Sequence, residues 1–163
     1  MGKVLNAFTQ GYPGAISRAV DDIVISLPNG ENDEIPFGTP VFLNTAGSKG
    51  LKPTETSTAD RFAGIAVRSA SKTPDTYLPD ANGRNAGTYQ KGELMDVLTR
   101  GTVTVKAENA GAGKPVYLVK ATGALTSSSG SGDANLLLPN CHFRSGLDTS
   151  GCAELLINTR NVL

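Results

Sequence analysis

The chain has 163 residues, with 15 Lys and Arg against 15 Asp and Glu, so its formal net charge is zero. This length suits a single domain that buries roughly 70% of the surface its unfolded chain exposes. Balanced charge provides no field that would attract phosphate backbones or acidic lipid surfaces, so we expect neither nucleic acid nor a membrane as a partner.

The first distinct segment is residues 1–20, where single apolar residues are separated by polar ones such as Asn6 and Thr9. No run is long enough for a signal-peptide core or a spanning helix, so we expect the protein to be made and kept in a cytoplasm. The segment Gly11-Tyr12-Pro13-Gly14 has no partner strand in reach. We therefore predict an extended N-terminal arm over 1–20, disordered or only loosely docked in the isolated protein, followed by a single β-rich body over 21–163.

The body is predicted to be all-β, because helical periodicity is nearly absent and short apolar or alternating runs end repeatedly at Gly, Pro, Asn or Asp. These runs predict eight short strands: Ile23 to Leu27, Val41 to Asn44, Phe62 to Arg68, Glu93 to Thr99, Thr102 to Ala107, Val116 to Lys120, Asn135 to Leu138, and Ala153 to Thr159. Within the third, Gly64 predicts a close backbone approach or a bulge in a central strand.

The clearest alternation is Thr102-Val103-Thr104-Val105-Lys106, which predicts Val103 and Val105 in the core and the hydroxyls and Lys in water. Arg100-Gly101 predicts a tight corner before it, with Gly101 at positive φ or in a bulge. The turn over 108–115 predicts a hairpin to the next strand, where Val116 and Leu118 also point inward.

Two polar stretches predict long exposed loops. The first, from Ser69 to Gly87, contains two prolines and several turn residues, and the second, from Ser127 to Asp133, consists of Ser, Gly and Asp. Loops of this length are often mobile or functional.

The thiol and imidazole groups offer little for a metal site. Cys141 and Cys152 are the only cysteines and His142 is the only histidine, so a zinc site would need two carboxylates as well. A disulfide between neighbouring strands is geometrically possible, but a reducing compartment favours buried free thiols. We expect no metal and no cofactor.

None of the candidate catalytic motifs meets the requirements of its chemistry. The run Gly111-Ala112-Gly113-Lys114 lacks a phosphate loop's first Gly and final Ser or Thr, since Glu108 and Pro115 occupy those positions. His142, Ser145 and Asp148 are triad residue types, yet closeness in sequence does not orient them, and His142 is expected to be a partly buried, hydrogen-bonded side chain.

Paired carboxylates are the last candidates for acid and base chemistry. Asp21-Asp22 and Asp33-Glu34 lie in polar connections, where we expect solvated charge. The sequence therefore predicts that this protein is not an enzyme.

Six segments occur in a fixed order along the chain: Ala7 to Arg18, Phe37 to Val41, Phe62 to Arg68, Tyr89 to Glu93, Val97 to Val105, and Gly113 to Tyr117. This ordered set resembles the structural cement proteins of tailed phages, a family of head decoration proteins. The specificity of the resemblance comes from the order of the whole set.

The resemblance implies a small barrel or β-tulip-like body with an N-terminal arm. It further implies a homotrimer over three-fold sites of an HK97-type major capsid protein lattice, on the outer capsid surface of a virion made in a host bacterium. An arm can order by adding to a neighbour's sheet edge, and Tyr12 suits an anchor because its amphipathic ring is buried at low entropic cost. We expect the capsid-binding residues to be Phe8, Tyr12, Pro13, Ile16 and Arg18.

An alternative function remains open at this stage. A trimeric β-rich receptor-binding or fibre-tip module of a phage would have similar composition, although such modules are expected to carry a coiled-coil or repeat stalk, which this sequence lacks.

Overall fold

A computed structural model describes residues 10–69 and 87–160, apart from the side chains of residues 19 and 20, and confirms the all-β prediction. Its only helical element in these ranges is the short 3-10 turn Ala59–Arg61. The strands are β1 (Ile16–Pro28), β2 (Ile35–Pro36), β3 (Pro40–Leu43), β4 (Gly50–Leu51), β5 (Phe62–Ala66), β6 (Thr88–Tyr89), β7 (Leu94–Asn109), β8 (Pro115–Val119), β9 (Leu125–Thr126), β10 (Asn135–Phe143) and β11 (Cys152–Ile157).

Five strands close into a barrel in the order β7, β9, β8, β10, β11, and β11 returns to β7 through pairs from Cys152 with Lys106 to Ile157 with Gly101. Closure leaves these strands with few free edges. The predicted inward residues are confirmed, because four side chains have no exposed surface: Val103, Val105, Val116 and Leu118.

The long strand β7 continues beyond the barrel, where its first half pairs with β5 on one side and β1 on the other. A second apolar cluster packs there, and it includes Ile35, Val41, Met95 and Val97. The buried Tyr89 joins this cluster, and its hydroxyl donates to the carbonyl of Val67 at 2.6 Å and accepts from the amide of Asp96 at 3.1 Å. The fold therefore has two apolar centres connected by one strand.

The central position of β5 is confirmed. It lies between β3 and β7, and a Cβ atom on Gly64 would overlap the carbonyl oxygen of Leu98. Only a residue without a side chain lets the two backbones come this close.

Two predictions about connections are wrong. Arg100-Gly101 does not separate two strands, because β7 is continuous through it, although Gly101 does have a positive φ of 124°. The turn over 108–115 does not make a hairpin either, because the two-residue strand β9 lies between β7 and β8 and pairs with both. Local turn signals show where the chain bends, but they do not show which strand lies beside it.

The prediction that the outer face of β7 meets water is confirmed for Lys106, which is exposed, but is wrong for the two threonines. Thr102 and Thr104 are buried, because residues 10–18 lie across this face. The expectation that this segment has no partner strand is wrong from Ile16 onward, where β1 pairs with Val103 and Thr102 of β7. The division into an arm of 1–20 and a body of 21–163 stays a prediction, and Phe8 lies outside the described residues.

Other sequence features are placed as follows. Cys141 and Cys152 are both buried and free, as predicted, and burial raises the pKa of the Cys141 thiol. The loop from Ser127 to Asp133 is largely exposed, whereas most of the stretch from Ser69 to Gly87 lies outside the described residues. Among the residues that are placed, no helix is long and apolar enough to cross a membrane.

Candidate binding surface

A tight turn over Tyr12–Ala15 positions the start of the chain on the body. The amide of Ala15 donates to the carbonyl of Tyr12 at 3.0 Å, with Pro13 and Gly14 at the two central positions. Gly14 has φ of 78°, as the third residue of a type II turn requires, and a Cβ there would lie 2.6 Å from Cβ of Phe37. The sequence Tyr-Pro-Gly-Ala therefore sets both the conformation and the close packing of this turn.

Thr104 of β7 fixes the same segment through three hydrogen bonds. Its hydroxyl donates to the carbonyl of Gln10 at 2.6 Å, its amide donates to that of Ala15 at 2.9 Å, and its carbonyl accepts from the amide of Gly14 at 2.8 Å. From the other side, the amide of Arg68 donates to the carbonyl of Gly14 at 2.9 Å. We call residues 10–18 the N-terminal root, since they fasten the start of the chain to the body.

Two of the predicted binding residues lie at the turn of the N-terminal root. Tyr12 is 43% exposed, and the guanidinium carbon of Arg68 lies 5.0 Å from its ring centroid, which is cation–π geometry. Pro13 is buried beside Gly38. Tyr12 therefore displays a held aromatic ring, while Pro13 can act in binding only through the turn that it shapes.

Ile16 and Arg18 follow on the first part of β1, and both are exposed, Ile16 by 38%. Nη2 of Arg18 lies 3.3 Å from Oε2 of Glu154 on β11. Arg18 is largely exposed while Glu154 is buried, so the pair holds the guanidinium against the surface of the barrel. The root thus presents an aromatic, an aliphatic and a cationic side chain on one short segment.

Two depressions adjoin the root. An open groove of about 550 Å³ is lined by Pro13 and by apolar and polar residues that include Phe37, Pro40 and Leu125. A more polar cavity of about 300 Å³ is lined by Arg18, Arg100, Arg144 and other residues, and Arg100 pairs with Asp21 at its rim.

Sequence reasoning missed Arg68 and Glu154 as partners of the root. Both lie far along the chain from the residues that they contact, and no local pattern connects positions 18 and 154. It also gave no placement for Val24 and Leu94, which are exposed on the paired strands β1 and β7.

Each of the triad residue types His142, Ser145 and Asp148 makes hydrogen bonds within the fold. Asp148 accepts hydrogen bonds from the amides of Gln10, Ser150 and Cys152, and the hydroxyl of Ser145 donates to a backbone carbonyl. His142 is exposed rather than partly buried, because it lies on the outer face of β10, with Nδ1 3.0 Å from the side-chain nitrogen of Asn158. Within residues 10–69 and 87–160, no cluster of His, Cys, Asp and Glu could hold a metal ion.

Comparison with known proteins adds the following. Residues 3–158 match a family model described as structural cement protein (E217 gp24/Pam3 gp6). A chain in the solved capsid of Myoviridae phage XM1 has a TM-score of 0.70 and 21% sequence identity, over 96% of this chain and 96% of that chain. At this identity the likeness shows a shared fold. No curated protein sequence matches.

Proposed function

This chain belongs to the phage structural cement protein family, and from that premise we propose that it binds the outer surface of an HK97-type capsid and stabilises the shell by bridging major capsid subunits. Family membership makes it a structural capsid protein of the virion and indicates a non-enzymatic role. The proposal includes synthesis in the host bacterial cytoplasm and assembly as a homotrimer.

The observation that carries the choice of surface is the N-terminal root. Its backbone is fixed by Thr104, yet it exposes Tyr12, Ile16 and Arg18. A fixed backbone suits binding, because the root then loses little backbone conformational entropy when a partner contacts these side chains. Phe8 and Pro13 complete the proposed set, Phe8 as a further contact and Pro13 as the residue that shapes the turn.

Bridging would stabilise a shell by mass action. A ligand that binds the assembled lattice but not free subunits raises lattice stability by about 2.7 kcal/mol per site when its concentration is a hundredfold above Kd. A homotrimer adds avidity, since each further contact becomes intramolecular once the first has formed. Weak contacts by Tyr12 and Ile16 would then suffice. The alternative of a receptor-binding or fibre-tip module gains no support from either comparison.

The test is sedimentation of purified protein with expanded capsid shells, paired with the temperature at which filled capsids release their genome. Wild-type protein should sediment with shells and raise the release temperature. Tyr12→Ala should weaken binding about tenfold, because a central aromatic anchor typically contributes more than 1 kcal/mol. Leu137→Ala is the matched control, since Leu137 is an exposed apolar strand residue on β10, which does not pair with β1.

Equal release temperatures with and without the protein would contradict the bridging role. Equal binding by Tyr12→Ala and wild type would contradict the choice of the root as the contact surface. Sedimentation equilibrium of the free protein at trimer mass checks the oligomeric state, and a monomer at micromolar concentration would contradict the homotrimer.

A further inference from the structure

Among residues 10–69 and 87–160, strand β1 pairs with another strand along one side only. Its partner is β7, with an unbroken register from Val24 opposite Leu98 to Pro28 opposite Leu94. On its other side, no strand of the described residues lies along it. The outer edge therefore carries backbone N–H and C=O groups that a further strand could pair with.

The features that normally protect such an edge are concentrated at its two ends. Towards the N-terminus, residues 19–22 bulge out opposite Gly101, and Asp21 and Asp22 bring two charges. At the other end is Pro28, which cannot donate a hydrogen bond. Between them, the stretch Ile23–Leu27 has no charge, no proline and no glycine. We call this stretch the open edge.

The side chains of the open edge show what kind of strand would fit. Ile25 and Leu27 pack against the second apolar cluster but are only partly buried, so part of their apolar surface stays exposed. On the opposite face, Val24 is 41% exposed and Ser26 is exposed. An added strand with apolar residues on the cluster side and mixed residues on the outer side would cover Ile25 and Leu27.

We propose that the open edge accepts an extended strand of the major capsid subunit by β-strand addition. This rests on the proposed function and names how the partner is held. The open edge continues the strand that exposes Ile16 and Arg18, so one capsid subunit can contact the root and the open edge together. Backbone pairing over five residues, about 17 Å of strand, supplies affinity, and the apolar alternation supplies specificity.

A second copy of this chain is the competing occupant. Pairing of two open edges around a two-fold axis would close a dimer and use up both edges. Such a dimer is incompatible with a homotrimer in which every copy presents the same face to the shell. The capsid subunit is therefore the occupant to which the proposal commits.

Hydrogen exchange of the wild-type protein, free and bound to expanded capsid shells, tests the inference. The outward-pointing amides within Ile23–Leu27, which alternate with those bonded to β7, should exchange at least about tenfold more slowly in the bound state, because strand addition gives them a partner. A contact made only by side chains would not produce this protection.

A pair of variants provides the second measurement. Val24→Lys places a charge on the open edge, as natural sheets do to block added strands, and should weaken shell binding about tenfold or more. Leu137→Lys places the same charge on an exposed strand position outside the open edge and should bind as wild type does. If Val24→Lys melts earlier than Leu137→Lys, then Ser26→Lys, at an exposed position of the same edge, replaces it.

The outcomes separate the two proposals. If wild-type protein fails to sediment with shells, the proposed function and the strand addition are both wrong. If it sediments while the exchange of Ile23–Leu27 is unchanged, only the strand addition is wrong. Protection that rises with protein concentration in the absence of shells would identify a second copy as the occupant and overturn the proposal.

Discussion

The barrel and the N-terminal root use the same strand in opposite ways. Inside the barrel, Val103 and Val105 of β7 are completely buried among apolar side chains. They contribute to folding stability through the hydrophobic effect, which does not depend on the orientation of the groups. On the other face, Thr104 holds the root through directional hydrogen bonds, and the root leaves Tyr12 and Ile16 exposed. The residues that stabilise the barrel and the residue that holds the exposed root therefore lie on opposite faces of β7. Mutations on one face should affect folding, and mutations on the other should affect binding.

The largest expected effect comes from a charge in the barrel. Val103→Asp should unfold the protein, because an unpaired buried carboxylate costs several kcal/mol, comparable with the whole stability of a domain of about 5 to 15 kcal/mol. Val24→Asp makes the same change at a 41% exposed position of β1 and should stay folded. Circular dichroism and thermal melting measure both. Similar melting temperatures for the two variants would break the distinction between barrel and surface strand.

A smaller and more local effect is expected at the turn of the root. Gly14→Ala forces a residue with a side chain into positive φ and towards Cβ of Phe37, at a cost of about 1 to 3 kcal/mol. The root should detach from Thr104, so that hydrogen exchange of Gly14 and its neighbours accelerates while the barrel amides remain protected. Shell binding should fall with it.

Gly146→Ala is the matched control for that change. Gly146 does not have a positive φ, and a Cβ there would meet only the carbonyl oxygen of Ala110 at 3.8 Å, an ordinary contact. Equal loss of protection in barrel and root for Gly14→Ala would mean that the two regions unfold together.

The smallest effect concerns Asp22, where β1 bulges over Gly101. Burial raises the pKa of Asp22 above its ordinary value of 3.8, which the hydrogen bond with the Thr102 backbone partly opposes, and the charge of Asp21 raises it further. Its Oδ1 is buried with no hydrogen-bond partner among the described residues. Because the folded pKa lies above the unfolded one, ionised Asp22 weakens the fold at neutral pH, and this cost disappears as the pH falls below about 3.8.

Asp22→Asn should therefore raise the urea midpoint slightly at about pH 7, and the gain should shrink towards about pH 3. Asp133→Asn, in an exposed loop, is the control and should change neither midpoint. A variant that is less stable than wild type at neutral pH would show that Asp22 stabilises the bulge as an anion.

The sequence predicted well where one strand's own pattern decides the outcome. Alternation placed Val103 and Val105 inside, and the glycine in a run of apolar residues placed Gly64 at a close approach. The free thiols of Cys141 and Cys152 were also correctly expected. For the valines and cysteines the residue type indicates burial. For Gly64 the missing side chain indicates the close approach of two backbones.

Prediction failed where a distant segment decides. Thr104 has the residue type of a solvent-facing position, and only the return of Gln10 to Ala15 across β7 buries it. Strand β9 has two residues, too few for a pattern, yet it separates β7 from β8. In the candidate site, Tyr12 and Arg18 could be named from the sequence, but their partners Arg68 and Glu154 could not. Contacts between residues far apart in the chain leave no local sequence pattern.

The bulge in β1 determines how the pairing of β1 with β7 responds to a pulling force. Two blocks pair with β7, Ile16 to Arg18 and Ile23 to Pro28, and residues 19–22 between them lie opposite Gly101 without a ladder partner. Because ladder bonds lie across the strands, tension along β1 loads each block in shear, and its bonds resist together. Tension from the N-terminal end would first load the hydrogen bonds of Gln10 and Gly14 with Thr104, together with the short block. The bulge would then extend before the long block bears load. The attachment is thus a two-stage tether, whose first stage can yield while the second still holds.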